Sequence, residues 1–159
     1  MALTAGQKTK LLAAIAADPA LAAYPLTSDG AFDMAQVLNQ PSNPAFIVWR
    51  TRFTADMIRT AITEAATQLD NLTASKRQSL LWWAEGASYD MGKAFTRAAV
   101  VDFTAGFANL QNAILDGGKR TANRVEAILA NGTGSKADPG KTTFEGNIQY
   151  QDIADARGV

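Results

Sequence analysis

The feature that most constrains this chain is a run of large apolar side chains at helical spacing in the stretch from residue 101 to residue 130. Four of them fall on one stripe of a helix, and they are Phe103, Phe107, Leu110 and Ile114. Gly117 and Gly118 interrupt this helix, because glycine readily adopts the backbone geometry of a helix end. A second helix is predicted over residues 122–129. We therefore expect an antiparallel helical hairpin whose apolar faces meet.

Capping residues predict several short helices earlier in the chain. Thr4 and Gln7 have the spacing of a capping box, which begins a helix. Pro19 ends that helix, because the residue before a proline avoids helical dihedral angles. Three further helices are predicted: at residues 32–38, after Thr54 and after Thr73. The pattern indicates a mainly α fold, a helical bundle.

Two adjacent tryptophans follow the helix start at Thr73. The inward face of that helix is predicted to consist of Leu80, Trp83, Ala84 and Ala87. Adjacent residues on a helix point in different directions, so Trp82 is left to one side of this face. Because tryptophan is enriched at protein interfaces, Trp82 is a candidate interface residue.

Two segments favour extended backbone. Residues 46–49 are β-branched or aromatic, which predicts a short strand or an extended segment pinned by Trp49. Residues 142–150 alternate so that Phe144, Ile148 and Tyr150 share one side of a strand. Two arrangements stay open for this second strand: an arm that completes a partner's surface, or a strand that folds back on residues 46–49 of its own chain.

The composition changes sharply after residue 130. Residues 131–141 are small, polar and rich in glycine, which is typical of a flexible linker. The sequence therefore predicts a helical bundle domain at 1–130, a flexible linker at 131–141 and an extended C-terminal β-type arm at 142–159. If the arm is free, deleting it is expected to leave a folded domain that no longer assembles.

Residue types needed for much of enzyme chemistry are absent. The chain has no cysteine and no histidine, which removes disulfides, thiol catalysis, the usual general base and the commonest zinc ligand. Gly140, Lys141 and Thr142 match the end of a phosphate-binding loop, but Ser135 stands where the first glycine of that loop is required. We therefore expect no enzyme, with no catalytic residue, no cofactor and no metal site.

The charge balance argues against nucleic acid as the main ligand. The chain has 15 Lys and Arg against 15 Asp and Glu, whereas binding to phosphates usually requires a positive excess. A helix-turn-helix over residues 113–129 remains an alternative, a small DNA-binding regulator. In that alternative, the residues that contact a groove of DNA would be Lys119, Arg120, Asn123 and Arg124.

No membrane segment and no secretory signal are expected. The longest apolar run falls well short of the ~20 residues that a membrane span requires. The N-terminal residues lack a charged segment followed by an apolar one. The sequence therefore predicts a soluble protein made in the cytoplasm.

Several segments resemble small helical proteins from the virion gene clusters of tailed bacteriophages. They are residues 37–41 (VLNQP), 45–51 (AFIVWRT), 71–73 (NLT), 122–126 (ANRVE), 130–135 (ANGTGS) and 143–152 (TFEGNIQYQD). The similarity extends from residue 37 to residue 152, and its most specific part is the C-terminal segment.

The resemblance implies a non-enzymatic structural protein of the virion neck, similar to head-to-tail adaptor (connector) proteins. Such adaptors form a ring, typically a dodecamer, between the portal protein and the tail or stopper proteins. It also implies synthesis in the host bacterial cytoplasm and no sequence-specific nucleic acid as partner. The interface candidates are Trp49, Trp82, Phe144, Ile148 and Tyr150. A further alternative is a phage assembly factor that is absent from the finished particle.

Overall fold

The computed structural model describes residues 2–86 and 88–159, and over these residues the protein is mainly α, as expected. The helices are α1 (Ala5–Ala17), α2 (Pro19–Ala22), α3 (Ser28–Leu38), α4 (Ala55–Glu64), α5 (Ala66–Asp70), α6 (Ala74–Ala84), α7 (Ala94–Phe103), α8 (Ala108–Gly117), α9 (Arg124–Leu129) and α10 (Tyr150–Arg157). The strands are β1 (Ile47–Trp49), β2 (Phe53–Thr54), β3 (Ser88–Tyr89) and β4 (Lys119–Thr121). β1 pairs with β4, and β2 pairs antiparallel with β3. Ala87, which was expected on the inward face of α6, lies outside the described residues.

The helix starts follow the capping residues. Thr4 and Gln7 make both hydrogen bonds of a capping box at the start of α1, and α1 ends before Pro19 as expected. Thr54 caps α4, also as expected. The start of α3 differs from the prediction, because Thr27 caps it and the helix begins four residues earlier than residue 32. Side-chain hydrogen bonds thus fix the starts of these helices. Helix α6 begins directly after Thr73 as expected, but the Thr73 side chain makes no capping bond.

The chain forms two compact units. Unit 1 consists of the described residues of Met1–Val48 together with Thr121–Val159, and unit 2 is Trp49–Arg120. This division differs from the expected segments 1–130, 131–141 and 142–159. The reason is that the C-terminal residues contribute side chains to the same core as the N-terminal helices.

The core of unit 1 combines both ends of the chain. Its largest fully buried side chains are Leu11, Leu21, Met34, Leu38, Leu129 and Ile148. Phe144 and Ile153 are buried among them. Burial of one such side chain contributes on the order of 2 kcal/mol, so the C-terminal residues are an integral part of this core.

Side-chain hydrogen bonds hold the C-terminal segment in unit 1. Asn39 bonds the main chain of Ile148 in both directions: its Nδ2 donates to the carbonyl oxygen at 3.0 Å, and its Oδ1 accepts from the N–H at 2.8 Å. The buried Glu126 carboxylate accepts from the N–H of Gly146 at 2.8 Å, and Asn123 Nδ2 donates to the Gly146 carbonyl at 2.9 Å. These side chains supply the bonds that a neighbouring strand would otherwise make.

The prediction of an extended β-type arm at 142–159 is therefore wrong. Residues 142–149 lie in no strand, and α10 begins at Tyr150. Phe144 and Ile148, predicted to face a partner, are only 6% and 1% exposed. Neither arrangement left open by the sequence is formed: residues 142–149 pack into the core of their own chain without forming a strand, and the residue bridged to Val48 of β1 is Gly140, which precedes them.

The 131–141 segment, expected to be a flexible linker, is packed against an aromatic ring. Gly134 adopts φ +68°, and a Cβ added there would lie 2.2 Å from Cδ2 of Phe46. Within the loop, the Thr133 hydroxyl donates to the carbonyl oxygen of Asp138 at 3.0 Å. The glycines here permit close approach to the ring, which is a different use of glycine from flexibility.

Unit 2 has its own apolar core. The fully buried side chains are Phe53, Ile58, Leu80, Met91, Val100, Leu110 and Ile114. Phe103 and Phe107 of the predicted stripe are partly buried against this core, but they do not share one helix with Leu110. The helix stops at Thr104, whose hydroxyl bonds the carbonyl oxygen of Val100.

The prediction of a helical hairpin across Gly117 and Gly118 is wrong. Strand β4 follows the two glycines, and the helices on either side contribute to different cores, α8 to that of unit 2 and α9 to that of unit 1. Gly118 serves a packing purpose, since a Cβ there would lie 2.8 Å from the terminal methyl group of Met91.

Replacing the buried C-terminal isoleucine is expected to destabilise the protein. Ile148→Ala should lower the free energy of unfolding by about 2–5 kcal/mol, because it leaves a cavity in the core of unit 1. Tyr150→Ala removes a larger side chain that is 39% exposed and contacts Phe32 at the surface, so it should cost less than Ile148→Ala. Urea unfolding followed by circular dichroism measures both. A larger loss for Tyr150→Ala than for Ile148→Ala would contradict the burial described here.

The packed loop predicts a difference between two glycines. Gly134→Ala should be destabilising both through its positive φ and through the collision with Phe46. Gly146→Ala is the matched control, because Gly146 has φ +102° with open space around its Cβ position. We expect Gly134→Ala to lower the thermal midpoint clearly more than Gly146→Ala. Equal losses would mean that the contact with Phe46 adds nothing.

Candidate interaction surface

Helix α6 in unit 2 places its two tryptophans in opposite environments. Trp83 is 5% exposed and belongs to the core, whereas Trp82 is 74% exposed. The sequence-based expectation that one would pack inward and leave the other outside is confirmed. Adjacent helix positions differ by about 100° around the axis, so burying one indole turns the other towards solvent.

Tyr89 fixes which indole is inward. Its ring stacks on that of Trp83 with centroids 4.4 Å apart, and its hydroxyl donates to the Trp83 carbonyl oxygen at 2.8 Å. Burial raises the pKa of the Tyr89 hydroxyl above its usual value of 10.0. Gly86 makes room for this contact, since a Cβ there would lie 2.1 Å from the hydroxyl oxygen. The orientation of Trp82 is thus fixed by its buried neighbour.

A shallow groove of about 560 Å³ lies beside Trp82 on the outer side of α6. Apolar, polar and charged side chains line it, and they include Leu72, Arg77, Gln78, Leu81 and Glu85. Arg77 also pairs with Asp70 at 3.3 Å, and both of these side chains are exposed, so that pair contributes little to stability. The groove combines an exposed apolar centre with one charge of each sign.

Helix α7 presents a second exposed apolar face in unit 2. Phe95 is 72% exposed, and Val101 is also exposed on this helix. Ala98 lies between them at three-residue spacing and is exposed as well. The Lys93 ammonium group lies 5.8 Å from the centroid of the Phe95 ring. Sequence reasoning missed Phe95, although the helical period places it on the side opposite Thr96 and Val100.

Trp49 is engaged within unit 2. The guanidinium carbon of Arg97 lies 4.9 Å from the centroid of its ring, and the ammonium nitrogen of Lys119 lies 5.3 Å from it. Each such cation–π contact contributes about 0.5–1 kcal/mol at a partly exposed site. Trp49 is half-buried, so it offers a partner far less surface than Trp82 does.

Unit 1 exposes one aromatic pair. Tyr150 packs edge-on against Phe32, with ring centroids 6.4 Å apart, and both side chains are exposed. Phe144 and Ile148 do not join them, because both are buried in the core of the unit. Among the C-terminal interface candidates, only Tyr150 lies at the surface.

The helix-turn-helix suggested by the basic residues is not formed. Lys119 and Arg120 lie in strand β4, and Asn123 is the N-cap of α9. Arg124, at the start of α9, forms an ion pair with Asp18. These four residues therefore do not line the exposed face of one recognition helix.

Neither a cluster of metal-ligating side chains nor a membrane-spanning helix is found in the described part of the chain. Among residues 2–86 and 88–159, no group of three or more Asp, Glu, His or Cys side chains is placed to hold a metal ion. None of the helices in this part of the chain has the length and apolar content of a membrane span.

The comparisons with known proteins give no match for this chain, whether with family models, curated proteins or solved structures.

Trp82 should dominate the solvent-accessible fluorescence of the protein. Of the three tryptophans, it is the most exposed, at 74%, so Trp82→Phe should remove most of the emission that acrylamide quenches. Trp83→Phe is the matched control, and it should leave that quenchable fraction largely intact. Steady-state quenching at neutral pH measures the difference. If Trp83→Phe removes the quenchable emission instead, the orientation of the two indoles is reversed.

Proposed function

We propose that this chain is a non-enzymatic structural protein of a tailed-bacteriophage virion, a head-to-tail adaptor that forms a ring between the portal protein and the tail. The observation that supports this proposal is the set of exposed aromatic side chains: Trp82 on α6, Phe95 on α7, and Phe32 with Tyr150 in unit 1. Clustered apolar surface on a folded protein marks sites of contact with other proteins. The proposal that the assembly is a virion neck ring comes from the resemblance of residues 37–152 to virion proteins.

The requirements of a ring agree with more than one such surface. A cyclic ring joins each copy head-to-tail, so it needs two different patches that fit each other. The α7 face and the aromatic pair of unit 1 are two chemically distinct patches on one chain. Repetition around a ring allows each contact to be modest, because the copies hold one another in place.

The charge of the chain also agrees with a conduit for DNA. Its formal net charge is zero, so a ring of such subunits would carry no overall positive field to retain passing nucleic acid. The proposed location is the neck of the virion, after synthesis in the cytoplasm of the host bacterium.

Copy number in finished particles tests this function. Density-purified particles from cells that produce the protein are digested, and its peptides are quantified against the major capsid protein by mass spectrometry. An adaptor ring predicts about twelve copies per particle, as closed cyclic symmetry of the proposed order requires. Hundreds of copies would indicate a shell or tail-tube protein instead. Absence from the particles would contradict the adaptor ring and favour an assembly factor.

A pair of variants tests the part played by the α7 face. Phe95→Glu places a charge in the exposed apolar face and should lower incorporation into particles. Ser79→Glu adds the same charge at an exposed polar position on α6 and should be incorporated normally. Circular dichroism confirms that both variants are folded. Normal incorporation of Phe95→Glu would mean that the α7 face is not a contact in the particle.

A further inference from the structure

We infer that the outer face of α6 binds a second copy of this chain, with the two α6 helices packed antiparallel about a two-fold axis at Leu81. This inference does not rest on the proposed function. A two-fold contact joins two copies and cannot close a ring, whose lateral contacts are head-to-tail. The α6 contact would therefore join copies through a surface separate from the lateral ring contact.

The outer face of α6 has the spacing of a helix-packing seam. Its inner side is occupied by Leu80, Trp83 and Ala84, which are buried in unit 2. On the outer side, exposed residues recur at intervals of four, three and four, and they are Ala74, Gln78, Leu81 and Glu85. Trp82 stands next to this seam. The exposed large apolar side chains of this helix are Leu81 and Trp82, which unit 2 leaves uncovered.

The charges on this face specify a second copy in the antiparallel direction. In a two-fold contact centred on Leu81, position 77 of one copy meets position 85 of the other. Arg77 and Glu85 stand four residues before and four residues after Leu81, so both pairings bring opposite charges together. A parallel pairing would instead place arginine against arginine and glutamate against glutamate. The charges on this face are thus complementary to the charges on the same face of a second copy.

The shape of the face is complementary to itself in the same way. Trp82 projects into solvent and also borders the groove of about 560 Å³ that Leu72, Gln78 and Leu81 line. A two-fold interface uses the same patch on both copies, so that patch must carry both the projection and the recess. Each Trp82 indole can then occupy the groove of the other copy, which is the central aromatic anchor that protein interfaces favour.

The size of the face sets the expected strength. Helix α6 has 11 residues, so it is about 16 Å long at 1.5 Å per residue. A contact of that length lies at the small end of specific interfaces. We therefore expect a reversible dimer that dissociates on dilution in the micromolar range.

Sedimentation velocity of the full chain over a wide concentration range tests the inference. The wild-type protein should shift from monomer to dimer as its concentration rises. Arg77→Glu alone and Glu85→Arg alone should each weaken the dimer about tenfold or more, because each places two like-charged pairs in the contact. Mixing these two variants in equal amounts should restore dimers, since every pairing between them is again of opposite charge. The weakening by each single variant is what identifies the antiparallel contact, because a parallel pairing would already place like charges together in the wild-type protein. The rescue in the mixture shows that the loss in each variant is due to charge.

Control variants separate the contact from general effects of charge and apolar surface. Arg59→Glu and Glu64→Arg make the same charge changes on exposed positions of α4 and should leave the dimer unchanged. Trp82→Ala should abolish the dimer, whereas Phe95→Ala removes an equally exposed aromatic side chain on α7 and should not. Circular dichroism verifies the fold of each variant.

Three outcomes would overturn the inference. The first is a wild-type protein that stays monomeric at all concentrations. The second is a dimer or larger oligomer that neither charge variant weakens. The third is a failure of the mixed charge variants to associate while the wild-type protein does. Since these experiments use only the purified chain, their result is independent of whether the protein occurs in virions.

Discussion

The hydrogen bonds between Asn39 and the main chain of Ile148 are the constraint on which unit 1 depends. They satisfy both backbone polar groups of a residue whose side chain is fully buried. Leaving such groups unpaired in an apolar core would cost about 1–3 kcal/mol each. Glu126 and Asn123 do the same for Gly146. The C-terminal segment can therefore enter the core without forming a strand.

This placement decides which residues are left for partners. Phe144 and Ile148 are used within their own chain, so the exposed aromatic pair of unit 1 is Phe32 with Tyr150. Exposed aliphatic side chains of this unit include Leu26 and Val159. In unit 2 the stacking of Tyr89 on Trp83 has the corresponding effect, because it buries one indole and exposes Trp82. The side chains that are buried inside each unit therefore also determine which side chains are exposed to a partner.

The proposed ring and the proposed dimer make different demands on the surface. A ring needs two unlike patches, and α7 and the aromatic pair of unit 1 differ in chemistry. A dimer needs one patch that fits itself, and the outer face of α6 carries Arg77 and Glu85 symmetrically about Leu81. The two contacts can therefore exist on one chain without competing for the same residues.

The sequence by itself determined the mainly α fold, the capping of α1 and α4 and the split between Trp82 and Trp83. The caps and the helical spacing that separates Trp82 from Trp83 depend on residues within about one helical turn of each other, so a single stretch of sequence contains those partners. Tyr89, which holds Trp83 inward, lies outside that turn. Tertiary structure decided the fate of the C-terminal segment, the packed loop and the break between α8 and α9. Asn39 and Ile148 are 109 residues apart, and no local pattern indicates that they meet. An alternating segment such as 142–150 favours a strand only until long-range side chains satisfy its backbone and bury its apolar residues.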